Sequence, residues 1–392
     1  MSDSAEMQDS DVRMRILAAA FAMLEDTHLG SISLRPLAKQ SGVGLSTVLH
    51  HLGDKAALLK SIFEHAIEIE ERFFERWRHA TARLATSSPA ERVKVVNAVF
   101  AEWVQMNRRP LLAIFDAIQS EKLQALAQTQ LREWKARAGG FWSEMFFGQP
   151  GNEEIALGVA IDEAIYSMVL QHKGLYPVLR QMKIEALIVD RDSISHPKAD
   201  QRGLFDSVKK SLIDDTRLEE LPSTLTQRQE AIVLATAEII VGEGFDAISH
   251  RKVGDRISVP ASTIAHHFAS LEQLVQLALV SLQKNNRESE RPPLDDVALR
   301  RKVAACLSVA VYAMRNRAMT RLALLLRNER DAELIRRLSA DMFDSDPVAA
   351  SLYSASLSGQ ILMTESDQSS TPEDEDLPVD HLIALYATRR SA

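Results

Sequence analysis

With 392 residues the chain is too long for one ordinary domain and predicts two or three. Its 46% hydrophobic and 26% charged composition can bury a core, and only 15 Gly and 13 Pro argue against collagen, linkers and turn-rich all-β folds, so the balance favours helix. The single cysteine, Cys306, excludes an intramolecular disulfide and a cysteine zinc site, and the net charge of −8 speaks against a protein that coats nucleic acid. That charge is uneven: residues 338–388 hold ten Asp or Glu and no Lys or Arg. The polar, acidic N-terminus carries no secretory signal, no apolar run approaches a membrane span, and a cytoplasmic location without membrane contact is expected.

In chain order, residues 1–11 are expected to be a disordered tail. The apolar run Ile16 to Leu24 predicts a buried helix. Ser33 is a good N-cap for the next helix, with Pro36 in its first turn. That helix ends near Gly42, and the third starts at Gly44. Short helix, tight turn and short helix make a helix-turn-helix over 12–58. From Lys55 to Arg83, Leu59, Ile62, Phe63, Ala66, Ile69, Phe73 and Trp77 follow helical spacing. Ser88-Pro89 ends that helix; Val93, Val96, Phe100 and Trp103 mark another, broken at Arg109-Pro110. Helices are then expected over 119–146 and 153–172. IEALIVD, from Ile184, reads as a strand or a buried helix; SISHPKADQRG, from Ser193, as a loop. A short helix in GLFDSVKKSLIDD, from Gly203, closes a first helical body at 59–215.

Beyond a linker at 216–226, the pattern repeats at an offset of 216 residues. SISLRPLAKQSGVGLSTVLHHLGDKAALL, from Ser31, aligns with AISHRKVGDRISVPASTIAHHFASLEQLV, from Ala247. Shared residues include Arg35/Arg251, Ser46/Ser262, Thr47/Thr263, His50/His266 and His51/His267. The second helix-turn-helix spans 227–274, with Ser249 as cap and Pro260 opening its third helix. A shorter second body, 275–392, predicts helices over 295–316, 318–328, 331–343 and 347–363. An acidic loop at 365–378 and a last helix at 379–389 follow.

These residues resemble the tetracycline-repressor (TetR) family of transcription regulators. The first copy matches its pattern in S-G-V-G-x-S-T-V-L-H-H-L-G-D-K. The second matches in G-F-D-A-I-S and in V-P-x-S-T-I-A-H-H-F-A-S-x-E-x-L. The likeness covers about 50 residues in each half. The family's Gly is His28 in the first copy and Gly244 in the second; its Tyr is Leu49 and Ala265; its Lys is Lys55 and Leu271. The resemblance implies an all-α fold of two TetR-like halves. Each would carry a three-helix DNA-binding head on a helical body for ligand and dimerisation. It implies a ligand-responsive repressor whose two heads enter successive major grooves of an operator. Each half ends in helices of the kind through which family members pair, so an intramolecular pseudo-dimer is expected ahead of a homodimer. Because the heads differ, the double-stranded operator should be an imperfect palindrome.

The recognition helices would present Leu45, Ser46, Thr47, Leu49 and His50 in the first head. In the second they would present Ala261, Ser262, Thr263, Ala265 and His266. Ser and Thr read either kind of base edge, and Leu and Ala can touch a thymine methyl. Phosphate contacts are assigned to Ser33, Arg35 and Lys55, and to Ser249, Arg251 and Lys252. Residues 12–60 carry six Lys or Arg against three acids, residues 226–280 four against six, so the first head should bind more strongly.

All four Trp lie in the first body. A small hydrophobic or aromatic effector is expected there, lined by Phe100, Trp103, Phe115, Trp134, Phe141, Trp142 and Tyr166, although such a row also suits a plain core. Asp116, Gln119 and Asp162 are polar groups that could orient it. Adjacent His-His pairs point about 100° apart on a helix and do not chelate, so no metal is expected. No phosphate loop or nucleophile motif points to an enzyme or a cofactor. The alternative is a helical interaction protein, a fused paralogue with weakened DNA binding that pairs with another regulator.

Overall fold

The computed structural model describes residues 2–82, 88–189, 199–214, 224–243, 248–286, 296–337 and 347–364. The acidic loop at 365–378, the helix expected at 379–389 and most of the 216–226 linker lie outside them. The fold is all-α, with no strand among the described residues. Helix α1 (Ser2–Met23) starts at Ser2, so residues 2–11 are helical rather than the expected tail. It packs on α2 (Leu34–Ser41) and α3 (Leu45–Leu52). Ile16, Ala20, Leu24, Leu37 and Val48 fill the small core between them.

The turn from α2 to α3 needs a left-handed residue, and Gly42 supplies it at φ 68°. In the second copy α12 (His250–Arg256) is joined to α13 (Ala261–His267) through Ser258, 216 positions further on, at φ 57°. Ser249 caps α12, its hydroxyl accepting from Lys252 N at 3.1 Å. Ser33, expected to do the same for α2, makes no such bond. The flanking helices are α11 (Gln227–Glu243) and α14 (Leu271–Asn286), which pack on each other.

Helix α4 (Lys55–Ala80) begins at Asp54, whose carboxylate accepts from Ala57 N, and runs into the body. A capping box of Ser88 and Glu91, with Pro89 in the first turn, starts α5 (Pro89–Met106). The break expected at Arg109-Pro110 falls at Asn107, where α5 ends, and Pro110 sits in the first turn of a further helix, α6 (Arg108–Gln119), where its missing N–H is harmless. Then come α7 (Glu121–Phe147), α8 (Glu153–Val169), α9 (Tyr176–Val189) and α10 (Ala199–Asp214). The ambiguous segment from Ile184 is helical as far as Val189, because α9 finds neighbours in α5, α8 and α10. Ala199 to Gly203, placed in a loop, already belong to α10.

In the second half, α15 (Asp296–Ala313) is followed by a 3₁₀ turn at Arg317–Met319 and α16 (Thr320–Arg337). The two helices expected over 318–328 and 331–343 are thus one up to Arg337: Glu329 to Asp331 offer no breaker, and Arg330 and Asp331 are held in the interior. The last described helix is α17 (Pro347–Thr364).

Residues of both halves share one core. Helix α8 makes its broadest contact with α17, and α15 packs on both α8 and α6. Gly158 on α8 lies against the backbone of Ser356 and Gly359 on α17, and Ala156, Ala160, Ser354, Ala355 and Ser358 on the same two helices are buried. Small side chains let the two backbones come together.

Candidate nucleic-acid interface and the buried network behind it

Val48 and Leu52 anchor α3 in the head, and Ile264 and Phe268 do so for α13. Helical geometry then turns Leu45, Ser46, Leu49 and His50 outward, with Thr47 half-buried. Leu45 is 37% and Leu49 43% exposed, so the face is a mixture of hydroxyls, an imidazole and branched methyls. On α13 Ser262, Ala265 and His266 are exposed, while Ala261 and Thr263 are half-buried. Ser33, Arg35 and Lys55 are exposed beside the first helix, and Ser249 and Arg251 beside the second, with Lys252 half-buried. The two faces offer hydroxyl and imidazole hydrogen-bonding groups, apolar methyls and cationic side chains.

The two heads differ in charge. An open cleft along α12 is lined by Ser249, Arg251, Lys252, Asp255 and Arg256. Arg251 lies 3.8 Å from Asp255 one turn along, so a carboxylate sits among the cations. Nothing comparable accompanies Arg35 or Lys55 within α2 or the start of α4. The paired histidines form edge contacts, His50 on His51 and His266 on His267, and His51 Nδ1 lies 3.4 Å from Asp9. Among the described residues no three His, Cys, Asp or Glu converge as a metal would require.

No family model matches the chain, and no curated protein matches it.

The aromatic residues named for an effector are all fully buried. Phe74 and Phe141 stand 4.6 Å apart, Trp103 and Trp142 4.9 Å, and Phe100 and Trp142 5.2 Å. They fill one another's space as a core does. Among them lies a group that the sequence did not single out. Glu70, on α4, accepts from Trp103 Nε1 at 2.7 Å and from the Asn107 amide. Burial pushes its carboxyl up to about 8, against the lowering effect of the Trp103 and Asn107 donors. Tyr166 stands apart from this cluster: the Arg327 guanidinium lies 4.0 Å above its ring.

Arg327 belongs to a charge network between the halves. Asp162 receives Arg327 at 2.8 Å and Arg330 at 2.7 Å. Glu163 receives Lys183 at 2.6 Å and the Tyr176 hydroxyl at 2.8 Å. Lys183 and Arg327 beside it overcome its burial and hold its carboxyl down at about 2. Asp331, paired with Arg330 and accepting from Ser354, is likewise held below the usual carboxylate range. A cleft against this network, between Lys183, Lys209 and Arg327, encloses about 10 Å³, enough for a single water.

Of the polar groups named for ligand orientation, Asp162 and Asp116 are committed to arginines instead. Charges on an otherwise apolar helix such as α8 were a readable signal of a buried network. Which arginine would meet them was not, because the partners lie some 165 residues away. Cys306 is buried, its thiol 3.4 Å from the Leu326 carbonyl and pushed up to about 12 by burial.

Proposed function

We propose that the chain is a DNA-binding transcription regulator of the TetR type, built as two fused halves and working as its own pseudo-dimer. The observation that carries this reading is the duplicated turn. Gly42 and Ser258, 216 positions apart, share the same left-handed backbone and each precede a helix whose outward face bears hydroxyls, a histidine and small apolar groups. A surface helix that exposes Leu45 and Leu49 suits methyl contact in a major groove. The packing of α8 on α17 supports pairing of the halves inside one chain.

In this reading the first head supplies Arg35 and Lys55 to phosphates and Leu45, Ser46, Leu49 and His50 to bases. The second supplies Ser249, Arg251 and Lys252, then Ser262, Ala265 and His266. A repressor of this kind holds both heads one helical turn apart on the operator, about 34–36 Å. An effector that favoured another spacing would release the operator, a coupling of about 1–3 kcal/mol. Selection of bound sequences from random DNA, followed by anisotropy titration with the purified chain, tests the reading. Recovery of an imperfect palindrome at nanomolar affinity is the expected result, and no enrichment over random sequence would sink it.

The carboxylate of Asp255 beside Arg251 favours a second reading for the second head, as a contact surface for another regulator. In that case the selected site would contain one half-site only.

A further inference from the structure

The turn that follows α1 is gripped from both halves of the chain. Asp116, on α6, is buried and accepts from three directions. Leu29 N donates to it at 2.7 Å, His28 Nδ1 lies at 3.0 Å, and both terminal nitrogens of Arg315 donate at 3.1 and 2.7 Å. Arg315 Nε turns the other way and donates to the Leu24 carbonyl at 2.8 Å. That carbonyl lies just past α1, where the helix can no longer satisfy it. Arg315 lies between α15 and the 3₁₀ turn, in the second half, and its side chain is 5% exposed. A single guanidinium thus ties the first head, the first body and the second half together.

Three more contacts reinforce the junction. His28 stacks on Tyr312 of α15 at 6.1 Å and 13°. Arg108 donates to Glu25 at 2.9 Å and to the Met314 carbonyl at 2.8 Å. At His28 the second copy has Gly244, so the departure of the first copy from its repeat falls on this junction. The planar fork of an arginine fixes direction as well as distance. Neither α1 nor α6 can shift against α15 without breaking it, and α1 carries α3 through its packing on that helix.

We propose that Arg315 is a positioning residue through which the second half sets the seat of the first helix-turn-helix on its body. The seat stands on this geometry alone; its consequence for operator affinity rests on the DNA-binding reading above.

Hydrogen exchange by mass spectrometry on the full chain tests the seat. It compares wild type with Arg315→Lys, Arg315→Gln and the double variant Arg315→Gln/Asp116→Asn. The double variant leaves no lone buried charge, so it stays informative if the single one unfolds. Peptides covering 24–32 are expected to exchange about tenfold faster in both glutamine variants, while α8 and α13 keep their rates. Arg315→Lys, which keeps the charge and loses the fork, should fall between. Unchanged exchange at 24–32 in the double variant overturns the proposal, and so does an equal rise along the whole chain. On a selected operator, loss of about fivefold confined to the half-site read by the first head is expected. Equal loss at both half-sites, or none, overturns control of that head. If 24–32 loosens but the wild type binds no DNA, the DNA-binding reading falls and the seat remains.

Discussion

Gly158 on α8 and Gly359 on α17 stand back to back: a Cβ built on Gly359 would lie 2.1 Å from the Gly158 Cα, and one built on Gly158 would lie 2.3 Å from the Ser356 carbonyl oxygen. Both obstacles are backbone, so no rotamer change relieves them. Glycine in a helix interior costs about 1 kcal/mol relative to alanine, and here that cost permits the close approach. Gly158→Ala is therefore expected to destabilise the chain by about 1–3 kcal/mol despite its better helix propensity, and Gly158→Leu by more. Urea denaturation measures this. An alanine variant as stable as wild type would show that the two helices part freely.

At Ser258 the chain holds a side chain at φ 57° where the first copy has glycine. Left-handed backbone strains a residue with a Cβ by about 1–2 kcal/mol, partly offset by the greater entropy glycine loses on folding. Ser258→Gly should stabilise the second helix-turn-helix by about 0.5–1 kcal/mol, seen as slower hydrogen exchange over α12 and α13. Gly42→Ala should loosen α2 and α3 by a similar amount. A destabilised Ser258→Gly variant, or a Gly42→Ala variant as stable as wild type, would contradict the shared turn geometry.

Glu70 gives the first body a pH dependence. A carboxyl raised from 4.5 to about 8 holds its proton more tightly in the folded chain than in the unfolded one. Its favourable effect is complete below about pH 4.5 and is lost as pH climbs to 8. Glu70→Gln cannot ionise. Relative to wild type, this variant should gain about 3–5 kcal/mol between pH 5 and pH 9. Denaturant titrations at both pH values decide it, and a constant difference would show that the carboxylate is well solvated.

The Arg330–Asp162 pair lies in the interior, both side chains at 0% exposure. Arg330→Met removes one partner and is expected to cost about 3–5 kcal/mol, because Asp162 and Asp331 lose their shared cation. Adding Asp162→Leu should not add the full cost of its single change; a double-mutant cycle measures the coupling. Glu163 works in the opposite pH direction from Glu70. Held at about 2, it contributes stability that is present above pH 4.5 and disappears as pH falls toward 2. Acid should therefore loosen the contact of α8 with α16.

The first head should carry more of any DNA affinity than the second. Arg35→Ala/Lys55→Ala is expected to flatten the salt dependence by nearly two units of slope, at about 0.9 per phosphate contact. Arg251→Ala/Lys252→Ala should flatten it less, because Asp255 already sits beside Arg251. Anisotropy across a salt series compares them, and a larger effect from the second pair would reverse the assignment.

Local structure was legible wherever neighbouring residues determine it. The apolar spacing from Leu59 to Trp77 marked α4, Ser88 and Pro89 marked the start of α5, and Gly42 marked the turn in the first head. The alternation of inward Val48 and outward Leu49 followed from helical period alone. Pro110 marked the end of α5 but not the start of α6, because a proline that breaks one helix also suits the first turn of the next.

Tertiary structure decided where the charges go. Asp116 and Asp162 looked like ligand-facing groups because an isolated sequence shows a buried acid without its partner. Folding brings Arg315 and Arg327 to them across 199 and 165 residues. A buried acid must find a cation, as Asp116 and Asp162 do, or keep its proton, as Glu70 does, and no periodicity encodes which arginine arrives. The same holds for Gly158 and Gly359: each reads as a weak point in its own helix, and only the meeting of α8 with α17 gives a reason for both.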